Sequence, residues 1–181
     1  ISADGKKVLL MTSRSRLTQR PTTLSSLLLL DVETLKVETL VADDGFLSGA
    51  KFSPDGTQIL LTGSPEALGG IGLNLPEGLI PNQYDYQLYL MNLSDKQILP
   101  MTKDFHPSVQ QTVWNKVDGQ IYFTAENRDY VSLYRMNPAD GKIQQLDAKE
   151  DLVKSITLAG NAPVMAYYGQ GAMNSDRLYT F

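Results

Sequence analysis

Apolar and polar positions in this chain fall into short runs separated by turn residues, and the 3.6-residue apolar period of an amphipathic helix is missing. Lys51-Phe52 closes one extended run, Pro54-Asp55-Gly56 makes a turn, and Ile59-Leu60-Leu61-Thr62 resumes an apolar run. Proline presets φ for such a turn, and glycine accepts the positive φ that it demands. The segment predicts a strand, a tight reversal and a second strand.

The pattern recurs. Asp4-Gly5, Asp55-Gly56 and Asp118-Gly119 each lead into a short apolar run, and Gly160-Asn161 leads into a fourth. A second block follows each first one: Leu88-Tyr89, Leu133-Tyr134 and Leu178-Tyr179 lie 45 residues apart, with Leu27 to Asp31 as the earliest member. Polar turns then precede strand-like runs at 36–40, 97–102 and 142–146. Four short strands, A to D, in a unit of about 40–45 residues predict the blade of a β-propeller. The Thr, Val, Ile, Leu and Tyr content of the runs agrees with strands.

The expected fold class is therefore all-β, a β-propeller of four-stranded antiparallel blades. Blade one (strands B to D) is placed at about 1–44, blade two at 45–104, blade three at 105–149, and blade four (A to C) at 150–181. Roughly four blades cut at both ends would be an incomplete portion of a larger ring. Their bare edges would favour self-association.

Two B–C connections are long. Blade one carries Ser13 to Ser25, and blade two carries Gly63 to Gln87, about 25 residues and beyond the usual loop. The second holds Leu68, Ile71, Leu73, Leu75, Leu79, Ile80, Tyr84 and Tyr86, an apolar content that predicts packing rather than disorder. Since strands alternate in direction, B–C and D–A connections emerge on one face. Both insertions are expected there side by side, as a surface for a partner domain or a substrate.

Composition narrows the chemistry. The chain of 181 residues has a net charge of −4 and no clustered basic patch, which excludes an ordinary nucleic-acid binder. No apolar run approaches the roughly 18 residues of a membrane span. The absence of cysteine removes disulfides and thiolate metal sites. Gly-x-Ser-x-Gly is absent, His106 is the only histidine, and its place in a D–A connection points to a structural or solvent-exposed role. Gly69-Gly70-Ile71-Gly72 does not complete a dinucleotide fingerprint, and no metal-ligand spacing occurs. No catalytic residue, cofactor or metal is expected within this chain.

Substrate-binding candidates are confined to the insertions. Arg14, Arg16 and Arg20 form either a solvated cluster with local ion pairs or a carboxylate-recognising fork. Glu66 and Glu77 are either surface carboxylates or partners for a substrate ammonium group. Tyr84 and Tyr86 serve either packing or ligand stacking. Trp114 aligns with Phe52 on an innermost strand, where inter-blade core is expected.

Phe52-Ser53-Pro54-Asp55-Gly56, then Ile59 to Thr62 and Leu88 to Asn92, resemble a blade repeat of two groups. These are TolB-like propellers and the N-terminal propellers of the prolyl oligopeptidase family of serine peptidases. Ile121 to Arg128 running on to Leu133-Tyr134, and the insertion ending in Tyr84-Asp85-Tyr86-Gln87-Leu88-Tyr89, are similar to bacterial acylaminoacyl-peptidase-like and dipeptidyl-aminopeptidase-like members. That resemblance implies a propeller of seven or eight blades followed by a C-terminal α/β-hydrolase domain with a Ser, Asp and His triad. It implies a propeller that caps the active site and admits peptide substrates, and an extracytoplasmic (periplasmic) location. The alternative implied by TolB-like members is a non-catalytic scaffold that binds protein partners.

Overall fold

A computed structural model describes residues 1–19, 22–76 and 78–181. Its chain forms two compact units, Ile1–Asp104 and Phe105–Phe181.

In the first unit, β1 (Lys7–Arg16), β2 (Thr22–Asp31) and β3 (Val37–Asp44) make an antiparallel sheet in the order β1-β2-β3. A second antiparallel sheet holds β4 (Leu47–Phe52), β5 (Gln58–Gly63), β6 (Gln87–Asn92) and β7 (Ile98–Pro100), again in sequence order. Leu47, Ile59, Leu61, Tyr89 and Met91 of this sheet share one buried core with Leu27 of β2. Leu60, Leu88 and Leu90 are buried as well, so β5 and β6 are covered on both faces. That is why their sequence reads as a continuous apolar run instead of an alternation. Each such side chain contributes on the order of 1.5–3 kcal/mol by leaving water.

The reversals between A and B strands share one hydrogen-bond design. Ser53 Oγ donates to Asp55 Oδ1 (2.6 Å) and accepts from the Gln58 N–H (2.9 Å), while Asp55 Oδ1 accepts from the Thr57 N–H (3.0 Å). Ser2 and Asp4 repeat this arrangement with Lys6 and Lys7. Asn115 and Asp118 achieve the same closure, accepting from the Val117 and Gln120 N–H groups. Gly5, Gly56 and Gly119 take φ of 71°, 72° and 71° at equivalent places, a conformation that costs an L side chain about 1–2 kcal/mol. These bonds hold the Asp4 and Asp55 carboxyls below the ordinary value of 3.8, the serine hydroxyl acting more strongly than the backbone N–H.

In the second unit, β8 (Ser108–Trp114), β9 (Ile121–Asn127), β10 (Tyr130–Met136) and β11 (Ile143–Leu146) pair antiparallel in sequence order. β12 (Leu152–Leu158), β13 (Met165–Gln170) and β14 (Arg177–Thr180) form a second antiparallel set. The two sets meet through a single parallel rung, Val131 with Leu152. Leu133, Leu146, Val153, Ile156, Met165 and Tyr167 share one core between them. Phe105 meets the rings of Phe123 (5.7 Å, 83°) and Tyr134 (5.0 Å, 84°) edge-on.

Gln111 closes the seam at the innermost strands. Its amide donates to the Lys154 carbonyl (2.9 Å) and accepts from the Ile156 N–H (3.2 Å), as a backbone peptide unit would in a sheet. Trp114 departs from the expected inter-blade core. It is half-buried, opposite Ile121, and its indole N–H donates to the Gly119 carbonyl (3.1 Å), closing its own turn. Buried indoles need an acceptor, and this turn supplies one.

Two outcomes follow from these contacts. Gln111→Ala removes two hydrogen bonds to the β12 backbone, each worth roughly 0.5–1.5 kcal/mol net, and should lower unfolding free energy by roughly 1–3 kcal/mol in urea titrations. Gln110→Ala, which loses one exposed bond to Glu126 (3.3 Å), should cost no more than about 0.5 kcal/mol. Because the turn carboxyls titrate lower when folded than unfolded, their stabilisation is complete above about pH 4 and is lost as pH falls through the folded value. Denaturation midpoints should therefore be flat from neutral pH down to about 5 and drop below about 4, less steeply in Asp55→Asn.

Candidate functional site

The first unit carries both long connections, and their structures differ. The stretch expected as a blade-one loop from Ser13 to Ser25 is largely strand. The β1–β2 ladder continues without interruption to the Arg16–Thr22 pair. Backbone N–H and C=O groups on a projecting ribbon are satisfied by pairing, and Ser and Thr at 13, 15, 22 and 23 tolerate a wet strand.

The blade-two insertion divides into a docked part and an exposed part. Ala67–Gly70 forms one short helical turn in which Leu68 (φ 59°) and Gly69 (φ 75°) are left-handed. Ala67 is fully buried, and Leu68 and Ile71 pack on the core of Leu27, Leu61 and Tyr89. Gly72 passes so close to β6 that a Cβ there would lie 2.2 Å from the Tyr89 hydroxyl and 2.4 Å from Gln87 Oε1. The Tyr89 hydroxyl donates to the Ser64 carbonyl (2.7 Å), and burial, aided by the Asp44 charge, raises its pKa.

Beyond Leu73 the insertion turns outward. Leu79 is 61% exposed, Ile80 90% and Tyr84 88%. The expectation that all its apolar groups pack therefore holds only for the first part. The short turn at 67–72 fills the available core space, and nothing among the described residues covers the remainder.

The end of β3 ties both connections together. Asp43 accepts a fork from Arg14, Nε to Oδ1 at 2.8 Å and Nη2 to Oδ2 at 2.5 Å. Asp44 Oδ1 accepts from the Phe46 and Leu47 N–H groups (2.7 and 2.9 Å), and its Oδ2 accepts from the Leu68 N–H (2.6 Å). The Asn74 amide donates to Asp104 (2.7 Å) in the following D–A connection. Within this unit the hairpin, the insertion and the D–A connections thus share one edge of the sheets.

The sequence-derived candidates are placed as follows. Arg14 is engaged by Asp43, which lowers the Asp43 pKa chiefly through that hydrogen bond and raises that of Arg14. Arg16, two residues on and so on the same strand face, is exposed. Arg20 and Glu77 lie outside the described residues. Glu66 stands just before the Ala67–Gly70 turn, and its buried Oε2 has no hydrogen-bond partner among the described residues. Tyr84 projects into solvent and does not pack; Tyr86 is 39% exposed at the foot of β6.

Asp43 and Asp44 were not among the candidates. The Arg14 and Leu68 partners lie 29 and 24 residues away, and the local turn that Asp44 makes with Phe46 and Leu47 does not reveal them. In the second unit, a cavity of about 300 Å³ is lined by Ser132, Gln145, Leu146, Asp147, Ala148 and Glu150. Buried Glu150 accepts from the Tyr179 hydroxyl and thereby raises the Tyr179 pKa. Exposed His106 has no such setting. Among the described residues, no three His, Cys, Asp or Glu side chains converge as metal ligands, and no helix is long and apolar enough to cross a membrane.

No protein-family model matches the chain, and no curated protein matches it. Solved structures do. TolB from Acinetobacter baumannii superposes with a TM-score of 0.64 at 22% identity, over 98% of this chain and 38% of that one. An acylaminoacyl peptidase from Pyrococcus horikoshii gives 0.65 at 19% identity, over 96% and 25%. An oligogalacturonate lyase in complex with manganese gives 0.72 at 14% identity, over 99% and 48%. The chain thus spans between a quarter and a half of the length of these structures. At such identities the likeness is one of fold, and the fold is the four-stranded-blade β-propeller.

Gly72→Ala tests whether the insertion is docked as described. The added methyl must displace Tyr89 or Gln87, so stability should fall by roughly 1–3 kcal/mol. The Tyr89 ring signals should shift in NMR spectra; an unperturbed Tyr89 would contradict the close approach.

Proposed function

We propose that this propeller portion belongs to a serine peptidase, where it caps the active site of an α/β-hydrolase domain and admits and positions peptide substrates. The observation that carries this reading is the exposed apolar stretch of the blade-two insertion, with Leu79, Ile80 and Tyr84 in solvent, in the same unit as the arginine-bearing hairpin. Large apolar side chains left in solvent close together in sequence point to a contact surface. The insertion and the hairpin between them carry apolar groups and both signs of charge, which an extended peptide can engage. The similarity to an acylaminoacyl peptidase supports it. On this reading the exposed Arg16 and Tyr84 face substrate, and catalysis belongs to the hydrolase domain.

A second reading draws support from the TolB similarity over 98% of the chain: a non-catalytic propeller that binds a protein partner through the same surface. Fold alone does not select between the two.

The deciding assay uses the natural full-length protein with fluorogenic aminoacyl, dipeptidyl and N-acyl-aminoacyl substrates. Hydrolysis abolished by a serine-directed inhibitor is expected. Deleting the outward part of the insertion should change KM or substrate preference by about tenfold or more, while a minimal ester is still cleaved. A folded full-length protein inert towards every substrate would overturn the peptidase reading in favour of the scaffold.

A further inference from the structure

We propose that the Asp43-Asp44 dipeptide couples the β1–β2 hairpin to the blade-two insertion, so that a carboxylate ligand taking Arg14 from Asp43 loosens the insertion's first turn. Leu68 is held at φ 59°, a left-handed conformation that a leucine adopts only when its surroundings impose it, and Asp43 at φ 52°, one that aspartate reaches more readily. The bonds that hold them are adjacent. The Arg14 fork and the Ser26 hydroxyl (3.0 Å from the Asp43 nitrogen) secure Asp43, and the next residue's carboxylate secures Leu68.

The register sets the two side by side at an irregularity in the ladder. Asp44 pairs with Ser25 across a bulge, because two residues of β3 separate Asp44 from Val41 where β2 has one between Ser25 and Leu27. Asp43 sits in that bulge, and its conformation sets the direction in which Asp44 leaves the sheet. Asp44 Oδ1 stays on the Phe46 and Leu47 N–H groups, so a relaxation of Asp43 swings Oδ2 away from the Leu68 N–H, and the left-handed turn loses that bond.

The trigger is accessible, since the Arg14 and Asp43 side chains are 68% and 44% exposed. An external carboxylate can present the same two oxygens to the guanidinium. By reciprocity, ordering the insertion strengthens the Arg14–Asp43 fork and weakens carboxylate binding there. This coupling lies wholly within the first unit and does not depend on an adjoining hydrolase domain.

Amide hydrogen exchange of Leu68 reads the coupling directly, with Leu60 in β5 as the reference for global opening. In the wild-type protein, succinate at high concentration should accelerate Leu68 exchange about two- to fivefold relative to chloride at equal ionic strength, the range that an exposed ion pair can transmit. Leu60 should not change. Arg14→Ala should produce the same acceleration without succinate and remove the succinate response, and Arg14→Lys, which cannot form the fork, should lie between. Asp44→Ala should set the upper limit. Equal Leu68 exchange in succinate and chloride, or wild-type Leu68 protection in Arg14→Ala, would overturn the proposal.

Discussion

A chain that reverses direction this often depends on saturating its backbone at every reversal. A peptide N–H withdrawn from the sheet ladder at a turn has to find an acceptor, or the hairpin loses more than its strands gain. Here the acceptors are short side chains two or five residues upstream: Ser2 with Asp4, Ser53 with Asp55, Asn115 with Asp118. The outer reversals use Asp31, Asn92 and Asn137 in the same way. Leu35, Lys96 and Gly141 take positive φ there, so only the last of these turns has the residue suited to its geometry. The sheets inherit their register from these closures, and the buried Leu and Ile positions inherit their facing from the register.

At the edge where the long connections leave the sheets, the same chemistry works over longer distances. Asp44 does for Leu68 what Asp55 does for Thr57, but across 24 residues instead of two. The insertion is therefore half a structural element and half a free surface. Its first turn completes the core around Ala67 and Tyr89, while its outer part presents Ile80 and Tyr84 to solvent.

These differences explain what could be read from the amino acids. The repeat, the strand count per blade and the turn positions were legible because Asp-Gly and Leu-Tyr act locally, within a few residues. The hairpin at 13–25 was harder, since Ser, Thr and Arg suit a loop and a wet strand equally, and only the partner strand decides. The division of the insertion was not legible. Ile71 and Ile80 are the same residue type nine positions apart, one packed and one 90% exposed, and Gly72's fit beneath Tyr89 separates their fates. Of the candidate charges, Arg14 carried an ion pair whose partner no spacing could reveal.

Trp114 has a consequence for how this protein reports on itself. The single indole of the chain is half-buried and hydrogen-bonded within the Asn115–Gly119 reversal, at the end of an innermost strand. Its emission is tied to that one hairpin, whereas far-ultraviolet dichroism averages over every strand. Comparing the two signals would make the tryptophan a built-in spectroscopic probe of a single repeat turn, and so a gauge of how cooperatively neighbouring blades come apart.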